Sequence, residues 1–231
     1  MVTAYKVDLS ELFPEKQDIF AYIIDGLFTE RECKNYIAMT EKLGYKEALV
    51  GNNQVRNVEN RNNYRCMLDS EEIAATLFQR LKPYLPQTWL GANLDSVNPR
   101  LRFLRYNKNE YFKPHHDGIY ITPDEKKCSY ITIHLYLNED YKGGETTFLT
   151  HGKNYGTLDD SNIENEPERL SIIPKIGRVL IFEHHLLHEG SELISGTKYT
   201  VRTDVMYATE TPVLLQRWRT NIPHPHYKST K

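Results

Sequence analysis

Residues 100–117 read RLRFLRYNKNEYFKPHHD and hold two short β-type runs in succession, Arg100 to Tyr106 and Tyr111 to His116. The chain continues in this way up to residue 207, and no helical pattern separates one run from the next. Turn signals such as Gly143-Gly144 mark the ends of the runs. The six further runs are Tyr130 to Asn138, Thr146 to Leu149, Leu170 to Ile173, Arg178 to Glu183, Leu186 to Gly190 and Lys198 to Tyr207. Eight short strands without intervening helices predict an antiparallel sandwich or an open barrel.

The first 97 residues mix helix and strand signals. A capping box over residues 29–32 predicts a helix that runs to about Leu43. A second start signal near residue 70, followed by apolar residues at helical spacing, predicts a helix that ends before Pro83. Between the helices, residues 51–63 are polar, rich in asparagine and without periodicity. They predict a long loop, and long loops within a domain are often functional.

The composition fits one folded domain. The chain has 231 residues, of which 39% are hydrophobic, and this apolar content is too high for a disordered chain. A net charge of -2 argues against a broad surface for nucleic acid or anionic membranes. No apolar run approaches the roughly 20 residues of a membrane span, and the first residues lack a signal-peptide core. We therefore expect a protein of the cytoplasm or nucleus. The three cysteines are unevenly spaced, which predicts neither a disulfide framework nor a thiolate zinc site.

The pair His115 and Asp117 is the first indication of chemistry. Alternate side chains share a face of a strand, so these two point to a common side and His116 points to the other. One histidine and one carboxylate are two members of the two-histidine, one-carboxylate triad that leaves three positions open on non-haem Fe(II). Taken alone, such a pair is more often an ordinary surface or hydrogen-bonded couple.

A third ligand is expected from residues 177–190. Their histidines are His184, His185 and His188. Spacing alone does not choose among the three. Ten residues after the last of them lies Lys198, on a strand that places Thr200 and Arg202 on the same face. A buried cation at one end of a barrel, with a metal at the other, is the arrangement that a short dicarboxylate requires. We interpret His184 and His185 as residues that pack or hydrogen-bond at a strand end.

With these motifs in place, the chain resembles the 2-oxoglutarate and Fe(II)-dependent dioxygenases, specifically the prolyl 4-hydroxylase branch. The resemblance covers about residues 98–207, and its segments are 106–117, 132–138, 143–144, 174–182 and 188–198. It implies a fold that is mainly β with supporting α-helices, a double-stranded β-helix, which is a jelly-roll or cupin-like barrel. We expect a single dioxygenase domain over residues 1–231. Residues 1–97 would supply helices, a strand and a substrate loop, residues 98–207 the barrel core, and residues 208–231 a C-terminal extension.

The resemblance also assigns roles to individual residues. It implies that His115, Asp117 and His188 bind the iron. Lys198 would bind the distal carboxylate of 2-oxoglutarate. Three further residues would line the same cosubstrate pocket, namely Tyr106, Thr132 and Tyr136.

The chain departs from the family pattern at three positions. His134 shares a strand face with Thr132 and Tyr136, where the family usually has an aliphatic residue; it would contact 2-oxoglutarate or an ordered water, or be a hydrogen-bonded core histidine. Arg202 and Asp204 stand where the family tends to have a smaller polar residue and an aromatic one. Either they meet a polar or charged substrate, or they pair with each other or with neighbours as structural ions.

The loop of residues 51–63 precedes the barrel, where related hydroxylases carry a mobile substrate-covering segment. Arg56 and Arg61, together with the nearby Arg65, are candidates for contact with a peptide or an anionic substrate. The alternative for each arginine is a solvated position in a polar loop.

The implied activity is the hydroxylation of an unactivated C–H bond with O2, coupled to conversion of 2-oxoglutarate to succinate and CO2. Fe(II), 2-oxoglutarate and O2 would be required, with ascorbate as a further cofactor. The first hypothesis for the substrate is a peptidyl residue, above all proline; the second is a free amino acid or another polar small molecule. The third hypothesis is a catalytically silent binding module. We expect neither nucleic acid nor membrane as a partner, and the sequence assigns no oligomeric state.

Overall fold

The computed structural model describes residues 1–14, 18–49, 55–150 and 168–210. Within them the chain forms two α-helices, α1 (Glu30–Leu43) and α2 (Glu71–Leu81), and a 3-10 helix, Lys82–Tyr84. The strands are β1 (Thr3–Lys6), β2 (Ala21–Asp25), β3 (Lys46–Glu47), β4 (Tyr64–Asp69), β5 (Thr88–Trp89), β6 (Ala92–Val97), β7 (Arg100–Tyr106), β8 (Phe112–His115), β9 (Lys127–Tyr136), β10 (Lys142–Gly143), β11 (Thr146–Leu149), β12 (Arg169–Ile172), β13 (Val179–Glu183), β14 (His188–Gly190), β15 (Leu193–Ser195) and β16 (Lys198–Ala208).

Two sheets form the barrel. The larger has the strand order β1-β2-β13-β9-β16-β7-β4-β3, with β6 also paired to β16 and β5 to β6. The smaller has the order β12-β11-β14-β8. Phe148 of β11 and Phe182 of β13 bring the two sheets into contact, with ring centroids 5.2 Å apart in an edge-to-face arrangement. The double-stranded β-helix predicted from the sequence is confirmed.

Strand β9 shows why the helices and the cavity lie on opposite faces of the large sheet. Ile131 and Leu135 pack into the core that also contains buried residues of α1 and α2. The alternate residues Thr132, His134 and Tyr136 face the other way, toward the smaller sheet. Each fully buried Ile or Leu side chain stabilises the fold by roughly 1.5–3 kcal/mol. The apolar face therefore holds the helices, and the polar face is available for a site.

Both helices start where their sequences predict. In α1, the side chain of Thr29 accepts a hydrogen bond from the backbone N–H of Glu32, whose carboxylate in turn accepts from Thr29. In α2, the hydroxyl of Ser70 accepts from the N–H of Ile73. These caps satisfy backbone donors that the first helical turn leaves without partners.

The large sheet crosses the border expected at residue 98. β2 pairs with β13, β4 with β7, and β6 with β16. Sequence patterns do not predict β4 and β6, because YRCMLD and ANLDSV are too polar and irregular to stand out from a loop. Pairing with a neighbour decides their conformation, since a central strand such as β7 needs hydrogen-bond partners on both sides. The first 97 residues therefore build part of the barrel itself.

Some expectations fall outside the described residues. They concern residues 51–54 of the loop and the C-terminal extension beyond residue 210. They also concern residues 152–168, whose acidic, turn-rich sequence predicts an exposed insertion and of which only residue 168 is described. Among the helices of the described ranges, none has both the length and the apolar character that a membrane crossing needs.

Candidate metal centre

His115, Asp117 and His188 converge on one point, with their ligand atoms all within 4.8 Å of one another. The two histidines lie directly opposite each other in the β8–β14 ladder. Asp117 lies two residues beyond the end of β8, and its backbone N–H donates to the carbonyl of His184 at 3.1 Å. The structure thus brings the three predicted ligands together. Asp117 lies outside β8, so it is positioned by this hydrogen bond and not by strand alternation.

Hydrogen bonds to the backbone orient both histidines. Nδ1 of His115 lies 2.8 Å from the carbonyl of Lys113, and Nδ1 of His188 lies 2.9 Å from the carbonyl of Leu186. This leaves Nε2 of each ring for a metal, the arrangement usual for metal-binding histidines. Burial lowers the pKa of both imidazoles, that of His115 well below its usual value. Neutral imidazole is the form that binds a metal.

The carboxylate of Asp117 is held on both oxygens. Nη2 of Arg202 lies 2.9 Å from Oδ1, and the hydroxyl of Thr132 donates a short hydrogen bond to Oδ2. Burial alone would raise the pKa of Asp117, but Arg202 and the neighbouring His188 hold it well below its usual value. The donor set is therefore two neutral imidazoles and one ionised carboxylate, which fits Fe(II).

Asp204 lies behind this carboxylate, where it is 1% exposed. Its Oδ1 is 3.0 Å from Nη2 of Arg202 and 3.6 Å from Nε2 of His184. Its Oδ2 is 3.3 Å from Nη1 of Arg102. Against the effect of burial, Arg202 and His184 lower the pKa of Asp204 to about 2. Arg202 and Asp204 thus pair with each other, which is the structural alternative given above. Of the two, Arg202 lines the cavity and Asp204 does not.

A cavity of about 730 Å³ opens beside the triad. Lys198 lies in its wall, is 1% exposed, and donates from Nζ to the carbonyl of Gly144 at 2.6 Å. Within the described ranges, no carboxylate comes within ion-pair distance of this amine. Burial lowers the pKa of Lys198 to about 7. A buried amine without a carboxylate partner fits the distal carboxylate of a dicarboxylate ligand.

The four other predicted cosubstrate residues differ in whether they line the cavity. Tyr106 is paired with Lys198 across β7 and β16 and lines the cavity, with its ring centroid 5.0 Å from Nζ. His134 also lines it, and its buried Nε2 has no hydrogen-bond partner among the described residues. Tyr136 is not among the lining residues; its hydroxyl donates to Oγ1 of Thr146 at 2.7 Å, and that threonine is in the wall. Thr132 lines the cavity, with its hydroxyl committed to Asp117.

The arginines of the predicted loop region do not share one environment. Arg61 is 8% exposed and lines the cavity, as does Arg65 of β4. Arg56 is exposed, pairs with Glu47 at 2.7 Å, and is not in the cavity wall. The expectation of a solvated position is therefore wrong for Arg61. Its segment packs against β8, the strand that carries His115, because Arg61 forms a β-bridge with Phe112.

Sequence reasoning missed Arg102 and Thr146, which both line the cavity. Arg102 lies four residues before Tyr106 in β7, so both side chains are on the same face of the strand. Strand alternation could therefore have predicted that Arg102 lines the cavity. Thr146 follows the predicted Gly143-Gly144 turn and carries no signal of its own, because its role depends on the Tyr136 hydroxyl in a different strand.

The part of the chain that carries the site is similar to a known protein family. The model of the 2OG-Fe(II) oxygenase superfamily matches residues 101–203, a span that contains the whole triad and Lys198. The matched span is slightly less than half of the 231 residues, and over it the chain is similar to this superfamily. Prolyl 4-hydroxylase 1 of Arabidopsis thaliana is 28% identical over 111 residues, which are 43% of this chain. The match spans only 38% of that relative's length. Probable prolyl 4-hydroxylase 3 of the same plant is 22% identical over 197 residues, 78% of this chain and 67% of the relative.

Solved structures of two prolyl hydroxylases have the same fold as this chain. The viral collagen prolyl hydroxylase of Paramecium Bursaria Chlorella virus-1, solved with 2OG, has a TM-score of 0.53 at 20% identity and matches 82% of this chain and 97% of its own. The second structure is the prolyl hydroxylase of Trichoplax adhaerens, solved with a fragment of the hypoxia inducible factor oxygen degradation domain. It has a TM-score of 0.61 at 13% identity and matches 90% of this chain and 92% of its own. The resemblance to the prolyl 4-hydroxylase branch that the sequence indicates is confirmed.

Proposed function

We propose that this chain is a 2-oxoglutarate- and Fe(II)-dependent hydroxylase that acts on an unactivated C–H bond. The observation that carries the proposal is the convergence of His115, Asp117 and His188 on one point beside a cavity. A saturated structural zinc site uses four protein ligands, whereas three leave positions for a cosubstrate and O2. The match of residues 101–203 to the model of the 2OG-Fe(II) oxygenase superfamily supports the same chemistry.

Each group of residues has a separate task. His115, Asp117 and His188 would hold Fe(II), and Lys198 would bind the distal carboxylate of 2-oxoglutarate. His134 and Tyr106 would complete the wall at that end. Arg202, Thr132 and Asp204 act through Asp117, since they touch its carboxylate or the arginine that holds it.

When bound, iron with 2-oxoglutarate and O2 supplies the oxidising chemistry, in which the cosubstrate becomes succinate and CO2 and the substrate gains a hydroxyl group. The protein binds, orients and shields the reactants. The backbone carbonyls of Lys113 and Leu186 direct the two imidazoles inward, and burial keeps both rings neutral. The buried walls around Lys198 keep water away from the amine.

For the substrate, a peptidyl residue, above all proline, is the first hypothesis, and the names of the relatives support it. A free amino acid or another polar small molecule is the alternative, which the arginines in the cavity wall favour. A catalytically silent binding module remains the third. Dependence on ascorbate and a cytoplasmic location stay predictions.

Succinate release tests the proposal. The full chain is incubated anaerobically and then in air with Fe(II), ascorbate and 2-oxoglutarate, with and without prolyl peptides or mixtures of free amino acids. We expect O2-dependent succinate release that a substrate increases and that His188→Ala abolishes. If neither substrate set nor the uncoupled reaction yields succinate, the chain is not an active hydroxylase. Peptide-specific stimulation favours the first hypothesis, and stimulation by amino acids favours the second.

A further inference from the structure

Positive side chains dominate the cavity wall. They are Arg61, Arg65, Arg102, Lys113, Lys198 and Arg202. The described residues place two carboxylates in the wall, and both are engaged: Asp117 belongs to the triad, and Glu189 forms an ion pair of 2.7 Å with Arg169. A molecule that enters beside the metal therefore meets a positive field, which low-dielectric walls strengthen.

Part of this charge lies in a single row across the large sheet. Arg202 of β16 is directly opposite Arg102 of β7 on one side and His134 of β9 on the other. Like charges directly opposite each other in a sheet are destabilising. Asp204, within 3.3 Å of both arginines, offsets part of this repulsion but is a single carboxylate for two guanidinium groups. Because Asp117 would also face a divalent cation, little negative charge remains for this row.

The positive charge of Arg61 is balanced even less than that of this row. It is 8% exposed, and its Nε donates to Oδ1 of Asn63 at 2.6 Å. No carboxylate of the described residues lies within ion-pair distance of its guanidinium. Burial and the nearby charges of Arg65 and Arg202 lower the pKa of Arg61, yet arginine stays protonated in proteins. A buried charge of this kind is costly until an anion binds it.

The position of Arg61 relates it to the metal. Its guanidinium lies over the ring of Phe112, 4.3 Å from the centroid, and that ring stacks on the imidazole of His115 at 3.5 Å. One aromatic ring therefore separates Arg61 from a metal ligand. The backbone holds this arrangement, since Arg61 forms a β-bridge with Phe112 and the carbonyl of Asn60 accepts from the N–H of Lys113 at 2.8 Å. If the anionic group of a ligand bound to Arg61, the carbon atoms a few bonds away from that group would lie beside the metal.

We propose that the substrate carries a carboxylate that binds to Arg61, beside Arg65 and Arg102, and so directs a neighbouring C–H bond to the metal. This inference rests on the proposed hydroxylase function. The planar guanidinium suits a carboxylate because it donates two parallel hydrogen bonds. The carboxylate is either the α-carboxylate of a free amino acid or the side chain of an acidic residue next to the target in a peptide.

Matched acids and amides test the proposal and separate the two sources. The first arm compares each L-amino acid with its amide, and the second compares the peptide Glu-Pro-Glu with Gln-Pro-Gln, both capped at their ends. Succinate release above the substrate-free rate is the readout, with product mass as confirmation. We expect an acid in one arm to exceed its amide about tenfold or more, since hydrogen bonds to charged groups contribute at least that factor. Equal stimulation by acid and amide, or no stimulation by any acid, overturns the inference.

Variants then assign the effect to Arg61. Arg61→Gln is compared with Arg31→Gln, a change at an exposed position on α1. We expect Arg61→Gln to raise KM for the acid about tenfold or more, whereas Arg31→Gln should leave both this KM and the substrate-free succinate rate unchanged. Arg61→Lys keeps the charge, and it tests the fork geometry if Arg61→Gln fails to fold. If the acid's KM is the same in Arg61→Gln and Arg31→Gln, the carboxylate binds elsewhere and the proposal is wrong. A wild-type protein that releases no succinate at all would instead refute the hydroxylase function.

Discussion

Nη2 of Arg202 lies 2.9 Å from Oδ1 of Asp117, so a buried arginine holds the carboxylate of the candidate metal centre from behind. The same nitrogen is 3.0 Å from Asp204, which is itself in contact with His184 and Arg102. The orientation of one metal ligand therefore depends on an ion-pair network that extends into the wall of the barrel.

Arg202→Lys should weaken binding of a divalent metal about 10–100-fold, because partners of a ligand that fix its orientation typically contribute this much. Lysine keeps the charge but lacks the planar group that spans Asp117 and Asp204. Calorimetric titration with Mn²⁺ measures the effect. Arg100→Lys is the control, since Arg100 pairs with the exposed Asp69 on the protein surface. Equal affinities in the two variants would mean that Arg202 does not orient Asp117.

The hydroxyl of Thr132 supports the other oxygen of Asp117. Thr132→Val should lower metal affinity about tenfold or more, whereas Thr132→Ser should stay close to wild type because it keeps the hydroxyl. The same Mn²⁺ titration checks both. The pair controls for side-chain volume, since valine matches threonine in size. If Thr132→Val binds the metal as tightly as wild type, the hydrogen bond from Thr132 does not support Asp117.

Metal should stabilise the folded chain through the triad. Mn²⁺ at about 100 times its Kd is expected to add about 2.7 kcal/mol to the free energy of unfolding, because the unfolded chain lacks the site. His188→Ala should remove this gain. His116→Ala is the matched control, since His116 is adjacent to a ligand in sequence and stands outside the triad. Chemical unfolding with and without Mn²⁺ measures the difference, and a loss of the gain in His116→Ala would contradict the assignment.

Binding of 2-oxoglutarate should depend on pH through Lys198. The pKa of this amine is lowered to about 7 in the free protein, and a dicarboxylate binds the protonated form. Affinity is therefore expected to be level just below pH 7 and to fall about tenfold per pH unit above it. Calorimetry with Mn²⁺-loaded protein between pH 6.5 and about 9 tests this. In Lys198→Arg the slope should vanish, since arginine stays charged; a slope that persists there would belong to another group.

The same shift predicts the sign of a stability effect. The unfolded chain binds the Lys198 proton up to a pKa of about 10.5, whereas the ligand-free folded chain releases it near pH 7. The unfolded state therefore binds more protons in this window, and the contribution of Lys198 to folding stability rises with pH from about 7 to 10.5. Lys198→Met should be more stable than wild type at neutral pH, and this advantage should shrink as the pH rises. Urea unfolding at several pH values measures both, and an advantage that does not depend on pH would contradict the shift.

Much of the barrel can be predicted from the sequence, because the patterns that indicate its strands and helix starts each lie within a few neighbouring residues. The capping box at Thr29 and Glu32 and the strands from Arg100 onward depend on neighbours within a few residues, and the structure agrees with them. β4 and β6 were beyond this reasoning because their conformation comes from pairing with β7 and β16. The triad was predicted from motif spacing and family resemblance, while the hydrogen bond from Asp117 to His184 joins residues 67 positions apart.

The sequence by itself predicted the fold class and the family resemblance, because the strands and motifs that indicate them each lie within a short stretch. Through that resemblance it also predicted the three candidate ligands. Only the tertiary structure decided what the arginines contact. Arg56 and Arg61 come from one polar segment, yet one is exposed beside Glu47 and the other is buried on Phe112. Strand parity placed Arg202 and Asp204 on one face, but it left open whether they meet a substrate or each other. Ion pairs and burial depend on residues far apart in the chain, and distances between strands are set by packing that no local pattern records.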